Sequence, residues 1–316
     1  MNDVLVIGAS GDQGREQVQV LVQSGRRVRA ASRHPKALSA ALPAGAEPVF
    51  FDFKQPESLL PCLAGVDVVF INWPSASFND PRSLFALFDQ TLTVMEQAPE
   101  RPRKIIFNSS LYVGEKALGF PAHDTRLRMI ERLRSGPIDH VAVCPVIFMD
   151  NLLRPWALPA IQNEGVFRYP HDARLEVSWI CLRDVARIML ACAGNDSLRG
   201  ETLVVGGPET LRGPDVAAIL STTLGRSITF ESEPTEAFAQ RMGALFSRRT
   251  GQSVARTARD LARIYDWYNT SPVHPFKVDM DPTSRRLGLT LTPFSEWARA
   301  QDWSAALPVI RDEGSK

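Results

Sequence analysis

The stretch VLVIGASGDQGREQV, residues 4–18, constrains this chain more than any other. Val4 to Ile7 is a short, continuous apolar run rich in β-branched residues, the pattern of a parallel strand buried on both faces. Beyond Gly14 the spacing changes. Val18, Leu21 and Val22 fall on one side of a helix, and Gly25 supplies its stop. Gly8, Gly11 and Gly14 therefore lie between a strand and a helix. Glycine there permits a tight turn and lets the backbone approach a ligand closely. The helix N-terminus offers N–H groups and the positive end of its dipole to an anion. The spacing is G-x-x-G-x-x-G rather than G-x-G-x-x-G. The order of strand, glycine turn and helix is nevertheless that of a dinucleotide phosphate site.

The second strand sharpens the ligand. RRVRAASRHPKAL reads as a strand from Arg27 to Ala31, ending at Ser32 and Arg33. A carboxylate near this position binds the ribose 2′-hydroxyl of NAD. This chain carries Arg33 instead, with Lys36 close behind, and a guanidinium pairs with the 2′-phosphate of NADP. The expectation is NADP(H) rather than NAD(H). The plain alternative is a solvated surface arginine.

Strand and helix alternate from there. AEPVFFDF gives a third strand ending at Asp52 and Phe53. SLLPCLAGVDVVFINWP gives a helix and a fourth strand from Val68 to Asn72. RKIIFNSS gives a fifth strand ending at Asn108 to Ser110, and IDHVAVCPVIF a sixth. This alternation implies an α/β fold with a doubly wound parallel sheet. Right-handed crossovers place the carboxyl ends on one edge, where ligands bind. Ser10, Arg33, Asp52, Asn72, Ser109 and Cys144 should then border one crevice.

The alternation decays after about Phe148. The predicted organisation is a nucleotide domain over 1–150 and a smaller α+β cap over 151–316, partly interleaved with the first. NLLRPWALPAIQNEGVFRYP reads as irregular. VSWICLRDVARIMLACAG reads as a helix entered from a short strand, ETLVVGG as a returning strand and GPDVAAILSTTLG as a helix. Residues 236–268 have helical spacing and many arginines. The run within 247–263 reads as a solvated helix face or a partner surface. The tail RDEGSK reads as frayed.

Composition excludes several classes. At 316 residues, 44% hydrophobic and 22% charged, the chain builds a packed core. A net charge of +1 argues against nucleic acid and anionic membranes as partners. No apolar run approaches the length of a transmembrane helix, and the first residues lack a signal-peptide pattern. Cys62, Cys144, Cys181 and Cys192 form no C-x-x-C pair. With scattered histidines, this leaves no metal site and suits a reduced, cytoplasmic interior. No G-x-S-x-G elbow marks a nucleophilic serine. Oligomeric state is left open, a homodimer included.

The chain resembles the NmrA-like group of atypical short-chain dehydrogenase/reductases over nearly all its length. The resemblance rests on VIGASGDQG, VRAASRHP, SLLPCLAGVDVVFI, FNSS, SGPIDHVAVCPVIFMDNLL, WICLRDVAR and GGPETLRGPDVAAILSTTLGRSITF. It implies a Rossmann domain with a small C-terminal substrate domain, and NADP(H) across the strand ends. It implies that Gly8, Gly11 and Gly14 with Ser10, Asp12 and Gln13 hold the pyrophosphate, and that Arg33 holds the 2′-phosphate. It sets Asp52 and Phe53 by the adenine. It sets Asn72, Trp73 and Pro74 beside the ribose and nicotinamide, and Cys144, Pro145 and Val146 against the nicotinamide.

Active short-chain dehydrogenases pair a tyrosine with a lysine four residues on, so that the tyrosine donates a proton to a carbonyl. Tyr112 and Lys116 have that spacing but sit about a dozen residues too early, which marks the match as coincidental. His123 falls near the tyrosine position and Leu127 near the lysine position, between Arg126 and Arg128. His123 is the candidate proton donor, on the premise that its pKa lies near neutrality. A packing histidine is the alternative. Ser109 and Ser110 close the fifth strand, where their hydroxyls either bond a substrate carbonyl or cap the next helix. Trp73, Phe78, Phe148, Trp156, Phe167 and Trp179 are candidates for an apolar pocket, or for core. The favoured function is an NADPH-dependent oxidoreductase passing hydride to a small, flat acceptor such as a quinone, enone or other carbonyl compound. A non-catalytic NADP(H) sensor is the alternative.

Overall fold

Short apolar runs punctuated by glycine and proline form the strands of the first unit. The computed structural model describes residues 3–75, 80–250 and 253–305, the side chains of 246–250 excepted. The strands are β1 (Asp3–Ile7), β2 (Val28–Ser32), β3 (Ala46–Phe50), β4 (Val66–Asn72), β5 (Lys104–Asn108), β6 (Asp139–Pro145) and, after a long interval, β8 (Thr202–Val205). They form one sheet in the order β3-β2-β1-β4-β5-β6-β8. The pairings along β3-β2-β1-β4-β5-β6 are parallel. Such a sheet needs helices on both faces, because its strands are apolar on both sides. The strand order reverses between β1 and β4, which is where an open α/β sheet has its ligand crevice.

The helices of this unit are α1 (Asp12–Gln23), α2 (Pro35–Ser39), α3 (Leu60–Leu63), α4 (Pro81–Gln97), α5 (Pro121–Ser135) and α6 (Leu182–Ala193). α1 and α6 pack against each other, and buried Gln17 of α1 donates to the Ala186 carbonyl at 3.4 Å. The opposite face carries the large core. There Leu84, Phe88, Leu92 and Met95 of α4 meet Leu127, Met129, Ile130 and Leu133 of α5 over Ile7, Ile71, Ile105 and Phe107 of the strands. Removing a ring such as Phe88, fully buried here, costs about 3–5 kcal/mol.

The chain divides into two units, Met1–Pro145 with Leu182–Val204, and Val146–Cys181 with Val205–Lys316. The first therefore ends earlier than residue 150 and takes back α6 and β8. The second has a two-stranded parallel sheet, β7 (Val166–Tyr169) beside β9 (Thr229–Ser232). β7 lies within the stretch expected to be irregular. Its helices are α7 (Gly213–Leu224), α8 (Thr235–Thr250), α9 (Val254–Thr270), α10 (Asp281–Leu287) and α11 (Phe294–Arg299). The single arginine-rich helical stretch is two helices, α8 and α9. Aromatic residues build this core, with Phe167, Tyr169, Trp179, Phe276 and Phe294 all buried.

Three turns differ from the sequence expectation in detail. β3 stops at Phe50, and Asp52 turns the chain by bridging to Gln55. β5 stops at Asn108, so Ser109 and Ser110 lie beyond it. β4 begins at Val66, two residues before the expected start.

Gly14 is held by the backbone around it. A Cβ on Gly14 would lie 2.1 Å from the Gly8 carbonyl oxygen, which cannot swing away. Gly14→Ala is expected to lose about 3 kcal/mol of unfolding free energy, read from urea denaturation. A change below about 0.5 kcal/mol would show that α1 moves freely away from β1.

Candidate functional site: a dinucleotide cradle at the carboxyl edge

The turn after β1 is built by close approach. Gly8 sits at φ +78°, and a Cβ there would lie 2.1 Å from the Asn72 carbonyl of β4. Gly8 and Gly14 thus answer to the protein's own backbone. Gly11 does not. It is extended, at φ −77° and ψ 162°, and a Cβ on it would meet only the Gly8 carbonyl at 3.5 Å. Its bareness serves nothing inside the fold, which fits an external group resting on the turn. Gly11 is also the N-cap of α1, and no side chain caps that helix. Its own N–H is spent on the Gly8 carbonyl at 3.1 Å. Ser10 is exposed on the same turn, and Asp12 opens the first helical turn. The arrangement suits a phosphate, for which an uncapped helix N-terminus supplies donors and dipole.

Gln13 does something the sequence did not reveal. Its Oε1 accepts from Asn108 Nδ2 at 2.6 Å, and its Nε2 donates to Ser110 Oγ at 2.6 Å. Asn108 Nδ2 also donates to Asn72 Oδ1 at 2.9 Å, and Asn108 Oδ1 accepts the Ser110 N–H at 2.8 Å. The side chain of Gln13 thus ties α1 to the end of β5 and the residues just beyond it, and Asn108 carries the link on to Asn72 of β4. Ser110 is held at φ 66°, a left-handed conformation rare for serine. Asn72 Nδ2 is left buried with no acceptor among the described residues. Asn108 was not singled out beforehand. The signal was available: VVFIN and KIIFN both end in asparagine, and Asn72 pairs with Asn108 in register.

Arg33 follows β2 directly and is half-buried, with Lys36 exposed on α2. Ser32 Oγ accepts the His34 N–H at 3.1 Å. The Asp52 carboxylate accepts the Lys54 N–H at 3.0 Å, and its own N–H donates to Ser58. Phe53 packs edge-on against Trp73 at 4.5 Å, and Trp73 against Phe88 at 5.1 Å. Trp73 is core, its Nε1 bonded to the Leu84 carbonyl. Cys144 also faces the core, where burial pushes its thiol up to about 12. Pro145 ends β6. Val146 belongs to the second unit, donating to the Val205 carbonyl at 3.0 Å. The side chains of Trp73 and Cys144 both lie in the core.

The candidates for catalysis fare differently from expectation. Ser109 is fully buried, and its hydroxyl donates to the Leu111 carbonyl at 2.6 Å, with the Val143 carbonyl at 3.3 Å. Ser110 is engaged by Gln13. His123 is buried in α5, and burial lowers its pKa to about 3, so the premise of a near-neutral pKa is corrected. At neutral pH it carries no proton to spare as an imidazolium. Tyr112 lies in the loop before α5, and burial raises its phenol rather than lowering it. Of the aromatic candidates, Phe167 and Trp179 are core of the second unit, Phe148 is half-buried, and Phe78 lies outside the described residues. Trp156 lines a cavity of about 350 Å³ within that unit, with Pro155, Pro159, Arg168 and Arg241. Among the described residues, no group of histidine, cysteine or carboxylate side chains could hold a metal, and no helix is long and apolar enough to cross a membrane.

The parallel sheet, its order and its glycine turn define a Rossmann-type α/β fold. A model of the NmrA-like family matches residues 1–298, and the chain belongs to that family. It is 24% identical over 306 residues to an NAD(P)H azoreductase of Xenophilus azovorans, covering 94% of this chain and 97% of that one. The triphenylmethane reductase of Citrobacter sp., solved with NADP(H), superposes with a TM-score of 0.74 at 20% identity, covering 94% and 99% of the two chains. NmrA, a negative transcriptional regulator solved with NADP, superposes at 0.70 and 18% identity, covering 96% and 99%.

The buried imidazole makes a pH prediction. Unfolded, His123 takes a proton near pH 6.5; folded, it resists one until about 3. The unfolded chain binds more protons across that window, so stability falls as pH drops from 6.5 towards 3. His123→Leu should lose less stability than wild type between about pH 7.5 and about pH 4.5, measured by urea midpoints. Identical losses would mean that the imidazole reaches solvent.

Proposed function

We propose that this protein binds NADP(H) in the cradle of the first unit and passes hydride to a small, flat, electron-poor acceptor. The observation that carries the reading is Gly11. The fold leaves it bare without needing to, at the uncapped N-terminus of α1. A pyrophosphate laid there takes backbone N–H groups of the first turn, and Asp12 contributes its N–H rather than its like-charged carboxylate. The guanidinium of Arg33 pairs with the 2′-phosphate at the end of β2. Asn72 Nδ2, buried without an acceptor among the described residues, donates to a ribose or carboxamide oxygen beyond β4.

A bound reduced nicotinamide supplies the hydride. This chain's residues orient and hold. The Gln13, Asn108 and Ser110 network fixes the loop that follows β5. Neither His123 nor Tyr112, the candidate proton donors among the described residues, is poised as an acid near neutral pH. Quinones and conjugated acceptors, whose reduced anions are delocalised, therefore suit the site better than simple ketones. The same observation favours a second reading, a sensor that binds NADP(H) without turnover.

Purified protein is tested for NADPH oxidation with a panel of quinones, enones, azo compounds and aldehydes, with NADH alongside. Turnover of a quinone or azo compound with NADPH is expected; tight NADPH binding with no acceptor reduced favours the sensor. Arg33→Ala should weaken NADPH binding by about 1–3 kcal/mol and spare NADH. Equal losses for both would remove Arg33 from the 2′-phosphate.

A further inference from the structure

Arg126 of α5 is completely buried. Its Nη2 donates to the Trp73 carbonyl at 3.2 Å and the Pro74 carbonyl at 2.6 Å. Its Nη1 faces the Met129 sulfur at 3.3 Å, and the guanidinium stands 5.8 Å from the centre of the Phe107 ring. Its Nε has no acceptor among the described residues. No carboxylate among those residues pairs with it. The titratable group that couples to it is the Cys144 thiol, which burial keeps protonated. Burial lowers the guanidinium to about 9, which leaves it cationic at neutral pH.

The contrast with Lys104 shows what is unusual. Lys104 is equally buried at the start of β5, but its Nζ reaches two carbonyls and the Asp196 carboxylate at 3.1 Å. That cation is balanced. Gripping two carbonyls, as Arg126 does, needs only a neutral donor, and an unbalanced buried charge is costly. A charge kept without a counter-ion points to a use for the charge itself.

Its place suggests the use. Trp73 and Pro74 follow β4 at the carboxyl edge, beside the point where the strand order reverses. A dinucleotide lies across the crevice at that point. With its 2′-phosphate towards Arg33 just after β2 and its pyrophosphate at α1, its second nucleotide extends over β4 and β5. That half carries the nicotinamide. The oxidised and reduced cofactors share every phosphate, and their rings differ by one positive charge. Only the oxidised ring is repelled by a cation beneath the edge.

We infer that Arg126 is a specificity-determining residue that makes this site select the reduced cofactor, through a buried positive charge left without a counter-ion under the nicotinamide half of the crevice. The inference rests on the NADP(H) reading above. A unit charge roughly a nanometre from the ring, at an effective dielectric constant of about 20, changes binding by roughly tenfold. An enzyme that starts each turnover with NADPH gains from this by shedding the oxidised product. A sensor gains a response to the ratio of the two forms.

Calorimetric titration of the full chain with NADPH and with NADP+ tests it, on wild type, Arg126→Met and Arg126→Lys, with thermal midpoints taken alongside. The wild type should bind NADPH roughly tenfold more tightly than NADP+. Arg126→Met should bring the ratio towards one, chiefly by tightening NADP+, and Arg126→Lys should keep the preference. A wild-type ratio near one overturns the inference without any variant. So does an unchanged ratio in Arg126→Met, or equal weakening of both forms by Met and Lys, which is the mark of a merely structural role. If Arg126→Met does not fold, Arg126→Gln and the wild-type ratio carry the test. Binding of neither form by the wild type removes the NADP(H) reading itself, and the inference with it.

Discussion

The backbones of β1, β4 and the first turn of α1 lie closer together than a Cβ allows. Two carbonyls mark the approach: Asn72 against Gly8 and Gly8 against Gly14, each 2.1 Å from where a methyl would stand. The rest of the first unit depends on that closeness. It sets α1 down at the reversal of strand order with its N-terminus uncapped by any side chain. The left-handed turn at Gly8 then makes room for Gly11, which nothing in the fold crowds. The bare, uncapped turn proposed to hold the phosphates is thus a by-product of packing a helix tightly on a strand.

The polar groups along the edge divide into those the fold consumes and those it leaves. Gln13, Asn108, Ser109 and Ser110 bond one another or nearby carbonyls and fix the loop beyond β5. A buried network of this kind specifies one arrangement, since breaking any link strands a buried group. Asn72 Nδ2 and Arg126 Nε are left over. Sequence periodicity places Asn72 and Asn108 on the same side of the sheet, while Phe107 beside Arg126 belongs to the other. The edge is therefore furnished from both faces, with amides on the α1 side and a cation on the α5 side.

What could be read beforehand was what the backbone dictates. Gly8, Gly11 and Gly14 were legible because a strand, a turn and a helix each have a short-range signature. The parallel sheet was legible because β1, β4, β5 and β6 are each built around a short apolar run. Arg33 stood out because it occupies a strand end where a carboxylate is the alternative. Side-chain direction was less legible. Trp73 and Cys144 border the edge in sequence but point into the core, a choice made by Phe53, Phe88 and the helices above them. His123 looked like an acid because spacing says nothing of burial. Arg126 falls within the apolar periodicity of α5, four residues before Ile130, and a charge there reads as an error in the pattern until the Trp73 and Pro74 carbonyls are seen. The end of β3 was misjudged because Phe51 and Phe53 continue the apolar run while Asp52, just past the Phe51 bond to Ser32, already makes the turn.

The measurement that bears most directly on the cradle is NADPH binding by Gly11→Val, with the thermal midpoint measured on the same sample. A Cβ there meets only the Gly8 carbonyl, at 3.5 Å, and the backbone is already in a region that valine adopts. The account predicts a midpoint close to wild type and a loss of NADPH affinity of at least about tenfold, because the isopropyl group occupies the place of the pyrophosphate. Unchanged affinity at an unchanged midpoint would contradict it, and would mean that the bare turn at Gly11 is not where the cofactor rests.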